Sequence, residues 1–180
     1  MQIVGSMLSL LGKNANMDIV CEDWMWGKKD VQMRQIVSVQ QRFWETSVVI
    51  KWFRQSEVLA GPSLALRDAY LEGQITVLAP SLLAYELANV LRYKGDLTPD
   101  QVQEAIQSLF DMGLELIPPL SSVMRCAVEI AHTLDATVYD AAFAALAESL
   151  NTTFITADEK LARKLGTLPN VRFLGDIDSE

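Results

Sequence analysis

From about residue 40 onward, short β-rich apolar runs alternate with stretches in which apolar side chains return every three or four positions. That alternation predicts an α/β fold with a mainly parallel sheet. A first strand runs to Trp44 and passes into a short helical piece over residues 47–53, with a helix over 62–72 ended by Gly73. A strand over 75–79 leads through Pro80-Ser81 into a helix over 82–93, stopped by Gly95. The next helix start carries its own punctuation: Thr98 as N-cap, Pro99 at the first helical position and Gln101 as the reciprocal partner of a capping box, running to Met112 before Gly113. A strand over 114–117 ends at Pro118-Pro119, followed by helices over 122–134 and 138–150. A strand over 153–156, a short helix over 159–164 and a strand over 171–174 complete the pattern.

Residues 1–39 show no clean period of 2 or 3.6, because Lys13-Asn14-Ala15-Asn16 and Gly27-Lys28-Lys29-Asp30 interrupt short apolar pieces. The expected organisation is an extension over 1–39 and one domain over 40–178. The apolar run from Ile3 to Leu11 is too short to span a bilayer, lacks a basic region before it and precedes no Ala-x-Ala cleavage pattern, so a soluble cytoplasmic protein without a membrane segment is expected.

Composition narrows the chemistry. A net charge of -8 over 180 residues argues against binding nucleic acid by net attraction, although a local basic rim remains compatible. His132 is the single histidine, which removes Ser-His-Asp and Cys-His nucleophile arrangements and histidine-based zinc clusters together. Cys21 and Cys126 are two thiols far apart in sequence, expected as small buried hydrophobes rather than a disulfide framework.

Four carboxylates stand out against this background. Glu45, Glu86, Asp140 and Asp158 each sit in an otherwise apolar or small-residue segment: RFWETSVVIKWF, APSLLAYELANVL, TVYDAAFAALAESL and TFITADEKLARKL. A buried carboxylate must pair, protonate or bind a cation, and four of them favour a site for a hard divalent ion such as Mg²⁺ or Mn²⁺. The element order puts Glu45 and Asp158 just past strand C-termini and Glu86 and Asp140 in the opening turns of helices, the edge at which open α/β sheets bind ligands. Each acid also has a plain structural role available. Asp158 fits a helix cap, Asp140 a first-turn acid, Glu86 a buried pair with Arg92 or another base, and Glu45 a strand end turning into solvent. Ser47, Asn89 and Thr156 are candidates to support the acids, with Thr46 beside them. Lys51, Arg92, Lys160, Arg163 and Lys164 are candidates for phosphate contacts, and Trp24, Trp26, Trp44 and Trp52 read as core or interface.

The segments TSVVIKWF, PSLLAYELANVL, TVYDAAFAALAESL and TFITADEKLARKL, in this order, resemble the PIN-domain family and in particular its VapC-like toxins. The resemblance covers about residues 40–177 and implies a three-layer α/β/α domain with a central parallel sheet. It further implies Mg²⁺- or Mn²⁺-dependent cleavage of RNA, a small antitoxin partner and a homodimer. The family's acids map onto Glu86, Asp140 and Asp158, and its small hydroxyl residue onto Thr156. The first position departs from the pattern, since the family carries Asp before this Ser/Thr-Ser-Val segment and this chain carries Glu45, whose extra methylene shifts the carboxylate. A start at Met33 would give a length more typical of that family.

The resulting expectation is a metal-dependent endoribonuclease with Glu45, Glu86, Asp140 and Asp158 as ligands and Ser47, Asn89 and Thr156 around them. The alternative is a catalytically impaired PIN-like binding protein. A phosphotransfer receiver domain also uses acids at strand ends, but it needs adjacent acids after its first strand and a phosphoacceptor after a middle strand, and neither is present.

Overall fold

The computed structural model describes residues 40–177, so the expectations for residues 1–39, including Cys21, Trp24 and Trp26, lie outside the described residues. In chain order the elements are β1 (Gln40–Trp44), α1 (Thr46–Phe53), α2 (Ala60–Leu71), β2 (Ile75–Pro80), α3 (Leu82–Arg92) and α4 (Pro99–Asp111). They continue with β3 (Glu115–Ile117), α5 (Ser121–Leu134), α6 (Val138–Ser149), β4 (Thr153–Thr156), α7 (Glu159–Lys164), β5 (Val171–Phe173) and a 3₁₀ turn at Leu174–Asp176.

The five strands form one parallel sheet in the order β3-β2-β1-β4-β5. Crossovers between parallel strands are right-handed. The chain steps one way from β1 through β2 to β3, so α1 to α4 cover one face. It then steps the other way from β3 to β4 and β5, so α5 to α7 cover the opposite face. The parallel α/β sheet is the one the sequence pattern predicts, and its three layers are those the family resemblance implies.

Burial follows from that layering. Val77, Leu78 and Ala79 of β2 and Phe154 and Ile155 of β4 are enclosed, as befits strands covered on both faces. The β1 sequence QQRFW is polar at its start, yet it is the central strand. Its last two residues, Phe43 and Trp44, reach the core, and both are fully buried. Trp44 meets Trp52 of α1 and Tyr70 of α2 edge to face, with centroids 5.2 and 6.0 Å apart, which confirms the reading of these tryptophans as core. Helix α6 supplies the other side through an unbroken buried run, Ala141 to Ala147, whose small residues let the helix lie close against the sheet.

Most expected boundaries match to within two residues. The capping box of α4 is present in both directions: Gln101 N–H donates to Thr98 Oγ1 at 3.3 Å and Thr98 N–H donates to Gln101 Oε1 at 2.9 Å. Helix α2 begins earlier than Pro62, with Leu59 at its N-cap in a left-handed conformation (φ 66°) and without a side-chain cap. A leucine there gives no capping signal in sequence. Cys126 is buried on α5 as expected, but it is disulfide-bonded rather than a free thiol, which corrects that part of the reading.

Candidate active site

Strands β1 and β4 are neighbours, yet the chain leaves them in opposite directions across the sheet. Their C-terminal ends therefore frame a crevice at the topological switch point, the place where such sheets take ligands. Glu45 follows β1 directly. Its backbone N–H extends the ladder to Ile155 O at 3.0 Å, and its position as N-cap of α1 turns the chain away from the sheet. Asp158 stands two residues past β4 as N-cap of α7, and its Oδ1 accepts N–H bonds from Lys160 at 2.8 Å and Leu161 at 3.1 Å. The helix-cap role of Asp158 is thus real, and it fixes the carboxylate at this edge.

The other two acids arrive from opposite faces. Glu86 lies in the second turn of α3, one turn deeper than the opening turn expected, and Asp140 lies in the first turn of α6. Glu86 does not pair with Arg92. Its Oε2 accepts the Thr46 hydroxyl at 2.5 Å, while the Arg92 guanidinium stacks over Tyr93, 5.1 Å from the ring centroid. Asp140 is held by Thr137, which accepts its backbone N–H at 3.1 Å and donates to its Oδ2 at 2.8 Å. Thr137 was missed in the sequence reading. Its signal was a Thr three residues before an acid at a helix start, the same spacing used to find the cap at Thr98.

Glu45 is the most enclosed of the four, with 8% of its surface exposed. Ser47 Oγ donates a very short hydrogen bond to Glu45 Oε2, and Thr156 Oγ1 donates to the same oxygen at 3.0 Å. Ser47 Oγ also accepts Ala157 N–H at 2.8 Å, and Thr156 Oγ1 accepts Asp158 N–H at 3.0 Å. Two hydroxyls therefore tie the end of β1 to the turn after β4. Asn89, by contrast, is exposed on α3.

Electrostatics show which acids share space. Burial raises the Glu45 carboxyl above its ordinary value, and the charge of Asp140 adds to this against the hydrogen bonds from Ser47 and Thr156. Burial likewise raises Glu86, opposed by the Thr46 hydrogen bond and reinforced by the charges of Glu45 and Asp140. Three like charges from three separate chain segments thus repel one another across the crevice, a tension that a cation would relieve. All the donors are oxygens, the set that a hard divalent ion requires. Among the described residues, however, no group of three or more His, Cys, Asp or Glu side chains is gathered as a metal-holding cluster. The Glu45 carboxylate is instead drawn back onto its two hydroxyl partners.

Most of the candidate phosphate-binding cations are engaged elsewhere. Lys51 pairs with Glu57 at 3.4 Å, Arg163 with Glu159 at 3.1 Å, and Lys164 with Asp135 at 3.5 Å. Lys160 is exposed on the first turn of α7, beside Asp158. No helix of the described residues is long and apolar enough to cross a membrane.

A family model described as PIN domain matches residues 43–165. Ribonuclease VapC3 of Pyrobaculum aerophilum is 34% identical over 91 residues, a stretch that spans 48% of this chain and 70% of that protein. Among solved structures, the crystal structure of PAE2754 from Pyrobaculum aerophilum is similar with a TM-score of 0.55 at 16% identity, covering 76% of this chain and 92% of that one. The structure of VapBC2 from Rickettsia felis bound to a DNA fragment from their promoter is similar with a TM-score of 0.56 at 16% identity, covering 74% of this chain and 97% of that chain. At such identities the two structures bear on the fold alone.

Proposed function

Because the chain belongs to the PIN-domain family, we propose that it is a metal-dependent endoribonuclease that hydrolyses RNA phosphodiester bonds, acting as the toxin of a toxin-antitoxin pair. The observation that carries this reading is the convergence of Glu45, Glu86 and Asp140 from three chain segments on the switch-point edge, where the charge of Asp140 reaches both glutamates and that of Glu45 reaches Glu86, with Asp158 held past β4 as the cap of α7. The relationship to ribonuclease VapC3 supports the substrate class.

Glu86, Asp140 and Asp158 are the residues to hold Mg²⁺ or Mn²⁺, with Glu45 completing the set. When bound, such an ion supplies a water of lowered pKa and stabilises charge on the phosphate and leaving oxygens. The chain's own contribution is orientation. Thr46 fixes Glu86, Thr137 fixes Asp140, the α7 backbone fixes Asp158, and Ser47 with Thr156 fixes Glu45. Such partners around a ligand are worth about 10–100-fold in metal affinity or activity. A small antitoxin protein, a homodimer and a cytoplasmic location complete the proposal.

A second reading has its own observation. The Glu45 carboxylate is buried and committed to Ser47 and Thr156, which favours a PIN-like binding protein whose site has lost catalytic competence. The experiment that separates the two is incubation of folded protein with a panel of structured RNAs in Mg²⁺ or Mn²⁺, beside Asp140→Asn and an EDTA control. Cleavage lost in both controls supports the nuclease, whereas no cleavage by wild type with any RNA of the panel supports the binding protein.

A further inference from the structure

Three of the acids share a pattern: one carboxylate oxygen is committed and the other is open. Thr46 donates to Glu86 Oε2 at 2.5 Å, and Thr137 donates to Asp140 Oδ2 at 2.8 Å. The N–H groups of Lys160 and Leu161 both go to Asp158 Oδ1. Among the described residues, no hydrogen bond or ion pair reaches Glu86 Oε1, Asp140 Oδ1 or Asp158 Oδ2. Glu86 Oε1 and Asp140 Oδ1 are not shut away either, since the buried side-chain oxygen without a partner among these residues is Glu148 Oε2.

The two threonine bonds go beyond what the helices need. A hydroxyl has one proton to give and lone pairs to accept with. Thr137 caps α6 by accepting Asp140 N–H at 3.1 Å, and that alone satisfies the helix start. Its proton is then spent on Asp140 Oδ2, which fixes the rotation of the carboxylate. Thr46, at the start of α1, is buried and spends its proton on an acid from α3 rather than on its own helix.

Fixed rotation has a consequence for coordination. A carboxylate grips a cation with both oxygens only when both can turn toward it. Ca²⁺ takes about six to eight oxygens in flexible geometry, often with bidentate carboxylates, whereas Mg²⁺ keeps a tight octahedron and several of its waters. Resting on the nuclease reading above, we propose that Thr46 and Thr137 are positioning residues that decide which cation the acids accept. By holding one oxygen of Glu86 and one of Asp140, they confine each acid to a single ligand atom and set the site against ions that require two. The N–H groups of α7 place the same constraint on Asp158.

The test measures Mn²⁺ and Ca²⁺ affinities by titration calorimetry on EDTA-stripped, dialysed protein without RNA. Wild type is compared with Thr46→Val, which keeps the side-chain shape, and with Thr137→Gly, which removes the hydroxyl at a cap position that tolerates glycine. Thr46→Ser and Thr137→Ser retain the donor. Ser108→Ala is the control, because its hydroxyl bonds Glu104 O within α4. The two threonines serve different helices, so either variant that melts cooperatively tests the proposal by itself. The ratio of Ca²⁺ to Mn²⁺ dissociation constants should fall about tenfold in Thr46→Val and in Thr137→Gly. Both Ser variants and Ser108→Ala should keep the wild-type ratio.

An unchanged ratio in both variants overturns the discriminating role and leaves the metal site standing. Equal weakening of the two ions also overturns it, since lost orientation alone treats them alike. A fallen ratio that Ser does not restore overturns it as well, because the donor is what the proposal requires. A fallen ratio restored by Ser, in a wild type that cleaves no RNA, supports the discrimination and overturns the nuclease. Absence of Mn²⁺ binding by wild type overturns both.

Discussion

Thr156 Oγ1 donates to Glu45 Oε2 at 3.0 Å across 111 residues of sequence, and Thr156 Oγ1 in turn accepts the backbone N–H of Asp158 at 3.0 Å. One fully buried hydroxyl thus fixes the spacing between the acid after β1 and the acid after β4. The contact exists because β1 and β4 are adjacent in the sheet, with Trp44 in register with Ile155. Replacing Thr156 with Val keeps the β-branched shape and removes both bonds. Stripping a partner from buried polar groups costs about 1–3 kcal/mol. The expected result is a lower midpoint in urea denaturation and weaker Mn²⁺ binding by calorimetry, about 10–100-fold. Unchanged Mn²⁺ affinity would show that the hydroxyl serves the fold alone.

Glu45 carries the opposite balance. Its carboxylate is buried and feels Asp140, so its charge works against the fold even while it equips the site. Glu45→Gln removes that charge, and the amide oxygen still accepts from Ser47 and Thr156. Without divalent ions, Glu45→Gln should melt on the order of 2–4 °C above wild type, the scale of 1 kcal/mol in a chain of this size. Adding Mn²⁺ should narrow or reverse the difference, because the wild type alone gains a ligand. Calorimetric scans with and without Mn²⁺ decide it, and a variant less stable than wild type in EDTA would show that the carboxylate supports the fold.

The site was legible where chemistry is local and hidden where it is not. The Thr98, Pro99 and Gln101 signature lies within four residues and could be read directly. Glu45, Glu86, Asp140 and Asp158 stood out because an acid among apolar residues is conspicuous, and the alternation of elements placed all four at one edge. Their partners were harder to see. Thr46 meets Glu86 across 40 positions, and Ser47 meets Ala157 across 110. Hydroxyl residues are also common in turns, so their types carried little signal. The plain structural alternative for Glu86 was a buried pair with Arg92 or another base; the fold instead brings in a threonine from α1. The β1 sequence is polar at its start, and it is the pairing with β2 and β4 that makes it central.

Away from the crevice, Glu57 is a hub. Its carboxylate meets Lys94 at 3.1 Å, Lys51 at 3.4 Å and Arg54 at 3.4 Å, and Arg54 also grips Asp96 at 2.7 Å. The network ties the α1–α2 connection to the segment between α3 and α4. Burial opposes ionisation of Glu57, but the hydrogen bond and charge of Lys94, with Lys51, more than offset it and hold the carboxyl below its ordinary 4.5. A depressed native pKa contributes stability that is present above pH 4.5 and is lost as pH falls through the native value. Glu57→Gln should therefore lose stability at pH 7, by about 1 kcal/mol for a half-exposed network. The difference should shrink below pH 4.5. Urea midpoints of both proteins across pH 3 to 7 test this, and a gap that persists unchanged at low pH would assign the loss to packing.

Glu148 near the end of α6 has the reverse sign. Its Oε2 is buried with no hydrogen-bond partner, and burial raises its pKa with help from the charge of Glu129. A raised native pKa means that the ionised form weighs against the fold, and increasingly so as pH rises through the native value. Glu148→Met removes the stranded oxygen and keeps the length of the side chain, so it should stabilise the protein at pH 7 by about 1 kcal/mol. At pH 4 wild-type Glu148 is largely protonated, and the gain should fall. The position adjoins the buried run Ala141 to Ala147 rather than the crevice, so Mn²⁺ affinity should not change. A destabilised variant at pH 7 would mean that the carboxylate has a role which its buried oxygen conceals, and a loss of Mn²⁺ binding would tie the two ends of α6 together.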